Sequence, residues 1–298
     1  MPDNPSPLQG VHTALVTPMN PDGSIHYAAL DALVDAQLEA GIDGLVPCGT
    51  TGESATMNAQ ERYTVIKHVV DRVAGRVPVI AGAGANATSV AIEHQKRAQD
   101  TGAQCSLVVT PYYNKPTPEG LYRHYSALLE AADIPILLYN VPSRTGCDMV
   151  PDTVARLAEL NGIIGIKEAT ADLKRVEAIK QSTPDDFVIV SGDDATSCPF
   201  VLQGGHGVIS VSSNLVPAAM VEMIHTALKN EGPKAEELRK TLAPLFDILF
   251  IESNPIPVKT AMELQGHFSA HMRLPLCEMG HTNRELLAST LRAAGLIH

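Results

Sequence analysis

The feature that most limits what this chain can fold into is a repeated alternation of two textures. Short runs rich in Val, Ile and Leu recur at 11–18, 43–49, 77–84, 105–111, 135–140, 163–169, 187–194 and 206–213. Between them lie longer stretches, among them 27–40, 58–74, 88–102 and 118–132, with apolar residues at helical spacing. In the first of these, Leu30, Leu33, Val34, Gln37 and Leu38 fall on one face. A strand that is apolar throughout suits a parallel sheet covered on both faces. Eight strand–helix units in series predict an α/β protein of the (β/α)8 barrel type rather than an open doubly wound sheet. Such a barrel commonly forms one domain of roughly 250 residues, so the length of this chain calls for no second one. The expected division is a flexible N-terminal tail (1–10), the barrel (11–229) and a C-terminal helical extension packed on it (230–298). Helical stretches are expected at 217–229, 233–250, 255–264 and 283–295, one of them the eighth barrel helix.

The formal net charge is −11 and no block of Lys and Arg stands out. That argues against a nucleic-acid partner, which needs a basic footprint. An acidic protein that handles acidic substrates must place its cations locally, so a Lys or Arg beside a pocket carries weight. No run approaches the roughly 18 apolar residues of a membrane span, and the opening MPDNPSPLQG has no apolar signal core. The cysteines Cys48, Cys105, Cys147, Cys198 and Cys277 are odd in number, widely spaced and without a C-x-x-C. They read as reduced thiols in a cytoplasmic protein.

In a barrel of this kind the chemistry sits at the carboxyl ends of the strands. Those ends carry Gly49-Thr50-Thr51-Gly52-Glu53, Thr110-Pro111-Tyr112-Tyr113-Asn114, Tyr139-Asn140 followed by Pro142-Ser143-Arg144-Thr145-Gly146, Lys167-Glu168, and Ser191-Gly192-Asp193-Asp194. Lys167 weighs most, because it closes the apolar run Ile163-Ile164-Gly165-Ile166. Lysines are seldom buried without cause. Apolar surroundings disfavour an ammonium, and a free amine can attack a carbonyl to form an imine. The competing reading is a structural lysine paired with Glu168.

The turn from Gly49 to Gly52 offers backbone N–H groups and two hydroxyls, which suit a carboxylate; taken on its own, an ordinary glycine-rich turn is the better fit. It is no Walker loop, since G-x-x-x-x-G-K is absent. Tyr113 and Tyr139 could pass a proton through a chain of hydroxyls that includes Thr50, or could simply pack. Arg144 could hold a substrate carboxylate bidentately, or form a surface ion pair. Asp193 and Asp194 could bind a metal or a polar substrate, and suit the capping of a loop at least as well. His267, His271, Cys277 and His281 match no zinc spacing, and His206, at a strand start, reads as structural. Gly204-Gly205 is not at a strand end, which speaks against a phosphate-binding barrel.

At these residues the chain resembles the dihydrodipicolinate synthase family, within the pyruvate-dependent aldolases that also include N-acetylneuraminate lyase. The matching stretches are GTTGESAT (49–56), VTPYYNKPTPEGLYRHY (109–125), LLYNVPSRTG (137–146), IIGIKEAT (163–170) and ESNPIPVKTAM (252–262). GTTGE and the lysine segment mark the superfamily; TPYYN and YNVPSRTG narrow it. The resemblance implies a lysine-pathway lyase that condenses pyruvate with L-aspartate 4-semialdehyde. Lys167 would be the Schiff-base nucleophile and Tyr139 its acid/base. Thr50 and Tyr113 would complete a proton relay, with Tyr113 reaching in from a neighbouring subunit. Thr51 would bind pyruvate's carboxylate, Arg144 that of the semialdehyde, and Gly192 and Ile209 would line the pocket. The resemblance further implies a homotetramer built as a dimer of dimers, with no organic cofactor and no catalytic metal. The rival readings are a sialic acid lyase, a 2-keto-3-deoxy sugar acid aldolase or dehydratase, and a non-catalytic relative. Arg144 favours the short acidic aldehyde, and the intact lysine and hydroxyls argue against loss of catalysis.

One departure concerns regulation. Lysine-inhibited members of the family carry an allosteric cleft, and Ser54, Ala55, Asn86 and Tyr112 match it here. Its histidine positions are Ala59 and Arg62, and its glutamate position is Val90. Loss of that carboxylate removes an ion-pair partner for a cationic effector, so feedback by L-lysine is expected to be weak or absent.

Overall fold

The structure is a computed structural model and describes residues 8–298. Strands and helices alternate along it: β1 (Gly10–Ala14), α1 (Tyr27–Glu39), β2 (Gly44–Val46), α2 (Ala59–Val73), β3 (Ile80–Gly82), α3 (Thr88–Thr101), β4 (Cys105–Val109), α4 (Pro118–Ala131) and β5 (Ile136–Asn140). Then come α5 (Pro142–Thr145), α6 (Pro151–Ala158), β6 (Ile163–Glu168), α7 (Lys174–Ser182), β7 (Val188–Ser191), α8 (Asp194–Leu202) and β8 (Gly207–Ser210). Four helices follow: α9 (Pro217–Leu228), α10 (Gly232–Ile248), α11 (Ile256–Leu264) and α12 (His281–Ala293). Of the expected tail, residues 1–7 lie outside the described residues; Leu8 is buried and Gly10 already opens β1.

All strand pairs are parallel, in the order β2-β1-β8-β7-β6-β5-β4-β3. The two ends of that series meet through a bridge between Leu45 and Val79. The Leu45 N–H donates to the Pro78 carbonyl at 3.0 Å, and the Gly82 N–H to the Pro47 carbonyl at 3.1 Å. The eight-stranded barrel expected from the sequence is therefore the fold.

Alternation along each strand sorts side chains between two apolar clusters. Ala14, Val46, Ile80, Leu107, Leu137, Val188, Val190 and Ile209 fill the barrel interior. Val11, Leu45, Val108, Leu138, Ile166, Ile189 and Val208 point outward, under the helices. The helices answer with their own apolar faces, as with Leu30, Leu33 and Val34 of α1 and Val65, Ile66, Val69 and Val73 of α2. Each such side chain, fully buried, contributes about 1.5–3 kcal/mol. Helix starts are set locally. Asn58 and Glu61 form a reciprocal capping box on α2, and Thr117 caps α4 just ahead of Pro118.

Histidines are buried inside this frame. His12, on β1, is wholly enclosed, and its ring occupies the space that a side chain at Gly44 would need. Burial pushes its pKa below the ordinary value. His124, on α4, meets the Thr88 hydroxyl at 3.0 Å and lies edge-on to Tyr125. Burial lowers its pKa to about 4. A histidine held neutral in the fold, but free to protonate near pH 6.5 once unfolded, stabilises the fold above that pH. The contribution shrinks as pH falls from about 6.5 toward about 4, because there the unfolded chain binds the extra proton. Melting temperature is thus expected to drop between pH 7 and pH 4.5, and to drop less in His124→Gln. Parallel curves for the two proteins would refute this account of His124.

Candidate active site

The mouth of the barrel opens into a cavity of about 260 Å³ at the carboxyl ends of the strands. Lys167 reaches it from β6. Its register partner on β5 is Tyr139, so both side chains leave the sheet on the inner face, next to one another. The Lys167 amine lies 4.4 Å from the centre of the Tyr139 ring. Lys167 is 6 % exposed, and among the described residues no carboxylate stands within ion-pair distance of it.

The rival reading paired Lys167 with Glu168, but neighbouring residues on a strand face opposite ways. Glu168 lies outside the barrel wall. There it accepts from Asn140 Nδ2 at 3.0 Å and from the Thr170 N–H at 2.8 Å, with Arg175 Nη1 at 3.6 Å. Asp148 completes that outer cluster through Arg175 and Asn140. The amine inside is left with a phenol face as its neighbour and a cavity in front of it.

Gly192, beyond β7, explains how the amine finds room. A Cβ there would stand 2.5 Å from the Ala169 Cβ and 2.9 Å from the Lys167 Cε. Ile209 on β8 and Thr50 and Thr51 beyond β2 complete the wall. Arg144 stands at the rim on α5 and has no acidic partner among the described residues; its Nη2 donates to the Asn254 carbonyl at 3.3 Å.

The cavity thus brings together Lys167, Tyr139, Thr50, Thr51, Arg144, Gly192 and Ile209, and Gly49 and Asp193 line it beside them. Tyr113 does not join them. Its backbone is left-handed, with φ at +76°, and its side chain is 90 % exposed. Val90 and Tyr112 are also exposed. Asp193 and Asp194 act as caps. Asp193 receives the Thr196 N–H at 2.9 Å, and the buried Asp194 receives the Val211 and Ser212 N–H groups at 3.0 and 2.8 Å. Among the described residues no group of three or more His, Cys, Asp or Glu is disposed to hold a metal ion.

The sequence reading gave no role to Asn254 or Phe250, and both line the cavity. Asn254 is buried and its Nδ2 donates to Thr51 Oγ1 at 3.0 Å. That bond occupies a lone pair of the hydroxyl and leaves its proton free to donate elsewhere. The available signal was ESNPIPVKTAM, a stretch noted as distinctive in which no single residue declared its chemistry.

A parallel barrel with a buried amine, a phenol and an arginine without an acidic partner at its mouth fits the build of an aldolase-type lyase. The chain belongs to the dihydrodipicolinate synthetase family, whose model matches residues 7–294. The 4-hydroxy-tetrahydrodipicolinate synthase of Methylococcus capsulatus is 52 % identical over 290 residues, covering 97 % of this chain and 100 % of that protein. Among solved structures, the Aquifex aeolicus dihydrodipicolinate synthase matches with a TM-score of 0.95 at 42 % identity, covering 97 % of this chain and 99 % of that one. The chloride-inhibited dihydrodipicolinate synthase of Acinetobacter baumannii, complexed with pyruvate, also gives 0.95, at 45 % identity, over 97 % and 100 % of the two chains.

The crowding at Gly192 yields a direct test. In Gly192→Ala the added methyl must push Lys167 Cε aside, and displacement of a reacting group by about 1 Å costs on the order of a hundredfold in rate. Borohydride trapping of a small 2-oxo acid is expected to slow by about that factor while circular dichroism stays unchanged. Unaltered trapping would mean that the amine does not need this space.

Proposed function

We propose that this chain is a 4-hydroxy-tetrahydrodipicolinate synthase, condensing pyruvate with L-aspartate 4-semialdehyde through a Schiff base on Lys167. The observation that carries the reading is a buried amine with no carboxylate partner among the described residues, 4.4 Å from the ring of Tyr139 and facing an open cavity. Relatives at about half identity over the full length bear that activity in their names, and the Acinetobacter baumannii protein is complexed with pyruvate.

The chemistry follows from the groups present. The amine adds to the keto carbon of pyruvate, and loss of water gives the imine. The imine withdraws electrons from the methyl carbon, which gives up a proton to form the enamine. The enamine carbon attacks the aldehyde, whose oxygen takes up a proton. The amino group of the semialdehyde then displaces Lys167 and closes the ring, returning the free amine. Tyr139 is the proton carrier nearest the amine, with Thr50 and Tyr113 extending the relay. A phenol alone is a weak base, so a chain of hydroxyls that returns the proton suits the cycle. Thr51 and the Thr50–Thr51 backbone take pyruvate's carboxylate, with Asn254 orienting the Thr51 hydroxyl. Arg144 takes the carboxylate of the semialdehyde. Tyr113, exposed on its own subunit, enters the relay from a neighbour in a tetramer. A fully active monomer in sedimentation would remove that part of the reading.

Borohydride reduction with pyruvate is expected to fix a single adduct on Lys167, and Lys167→Ala to abolish both adduct and turnover. An adduct elsewhere, or turnover in the alanine variant, would end the proposal. The sugar-acid alternatives share the lysine and differ in the acceptor. A higher kcat/KM for a 2-keto-3-deoxy sugar acid than for the semialdehyde would favour them.

For regulation, Arg62 supports the expectation of weak control by lysine. Its buried guanidinium donates to the Gly82 carbonyl at 3.0 Å and meets His94 Nδ1 at 3.0 Å, and Val90 adds no charge. A cationic effector there meets a cation, and Val90 offers it no carboxylate. Titration with L-lysine is expected to give no half-inhibition below about a millimolar, the equivalent of roughly 4 kcal/mol of binding. Inhibition at micromolar lysine would reverse this conclusion.

A further inference from the structure

Away from the cavity wall the chain buries a second lysine. Lys259, on α11, and Glu53, at the end of the Thr50–Thr51 turn, both have side chains that are 0 % exposed. The three ammonium protons of Lys259 have three acceptors: Glu53 Oε1 at 2.6 Å, the His271 carbonyl at 2.6 Å and the Thr17 carbonyl at 3.1 Å. An ammonium so engaged has no donor left for a ligand. Nor is stability a sufficient reason for the pair, since apolar residues of similar volume often serve as well. An ion pair adds direction, which apolar packing lacks.

That direction converges on one turn. The Glu53 N–H donates to the Thr50 carbonyl at 3.1 Å, closing the turn. Glu53 is left-handed, with φ at +57°, a conformation that a residue with a Cβ keeps only when its surroundings hold it. Thr17 Oγ1 donates to the Gly52 carbonyl at 2.9 Å, and the Arg273 N–H donates to Glu53 Oε2 at 3.4 Å. The segment after β1, the turn after β2 and the loop after α11 therefore meet here, and Lys259 bonds to all three. The same C-terminal segment also supplies Asn254 to Thr51.

We infer that the Glu53–Lys259 pair is a positioning device for the Thr50–Thr51 turn, fixing the backbone that receives pyruvate's carboxylate without touching substrate. This rests on the reading of that turn given under the proposed function. Lys259→Met removes the tether and keeps most of the volume. It is expected to raise KM for pyruvate about tenfold and to slow borohydride trapping at low pyruvate by the same factor, while KM for the semialdehyde moves less than about twofold. Leu128→Ala, a core truncation in α4, is the control for general loss of stability, and its KM for pyruvate is expected to match the wild type. If Lys259→Met does not fold, Glu53→Gln/Lys259→Met, with no unpaired buried charge, is read by the same measures. A folded tether variant with wild-type KM for pyruvate overturns the inference, as does a rise matched by Leu128→Ala. Failure of the wild-type protein itself to trap pyruvate would instead overturn the reading of the site, and this inference with it.

Discussion

The register between β5 and β6 governs the chemistry of this molecule. Parallel pairing sets Tyr139 beside Lys167 on the same side of the sheet, and barrel closure makes that side the interior. Slipping β6 by one residue would exchange Lys167 for Ile166 or Glu168 at the mouth, and slipping β5 would exchange Tyr139 for Leu138 or Asn140, because the side-chain period of a strand is two. The acid that belongs next to Lys167 in sequence is thereby kept outside, held by Asn140, Thr170 and Arg175. Alternation has done what no individual contact could: it separates a lysine from its adjacent glutamate and leaves the amine without a counter-charge among the described residues.

Around that amine the barrel supplies parts from distant points in the chain. Gly192 gives space, Ile209 gives an apolar floor, and the Thr50–Thr51 turn gives hydrogen-bond donors. Asp194 holds the backbone after β8, Asn254 holds Thr51, and Lys259 holds Glu53. Asp194 and Lys259 act from behind the cavity wall, whereas Asn254 lines the cavity itself. Two buried lysines in one chain thus differ in their surroundings, Lys259 being engaged by three acceptors while Lys167 faces the cavity beside Tyr139.

Much of this was legible in the sequence, for reasons that differ by residue. The eight strands were visible because a strand covered on both faces is continuously apolar. Lys167 was visible because it interrupts such a run at its end, where barrel enzymes work. Thr50, Thr51 and Arg144 were candidates from their residue types, and the resemblance chose among their readings; Gly192 and Ile209 were placed at the pocket through resemblance alone, since such a residue has no chemistry of its own until something faces it. Asn254 stayed hidden for the same reason: its role depends on Thr51, far away in the chain. Lys259 followed the rule that exposed Lys167, a lysine inside the apolar stretch Ile256–Met262, yet it sat in a helix, where an amphipathic face is the ordinary explanation. The orientation of Tyr113 is a matter of one turn with a left-handed backbone, and strand periodicity carries no information about such a turn.

The fastening of the turn after β2 by α11 has a consequence for how the protein comes into being. A growing chain has all eight strands once Ser210 has been made, and the barrel wall then needs nothing further from its own strands. The groups that hold Thr51 and Glu53 arrive only with Asn254 and Lys259, followed by His271 and Arg273. Contacts so far apart in the chain are slow to close. The strands are therefore all made before the residues that hold this turn, and a chain cut short before Asn254 lacks those bonds.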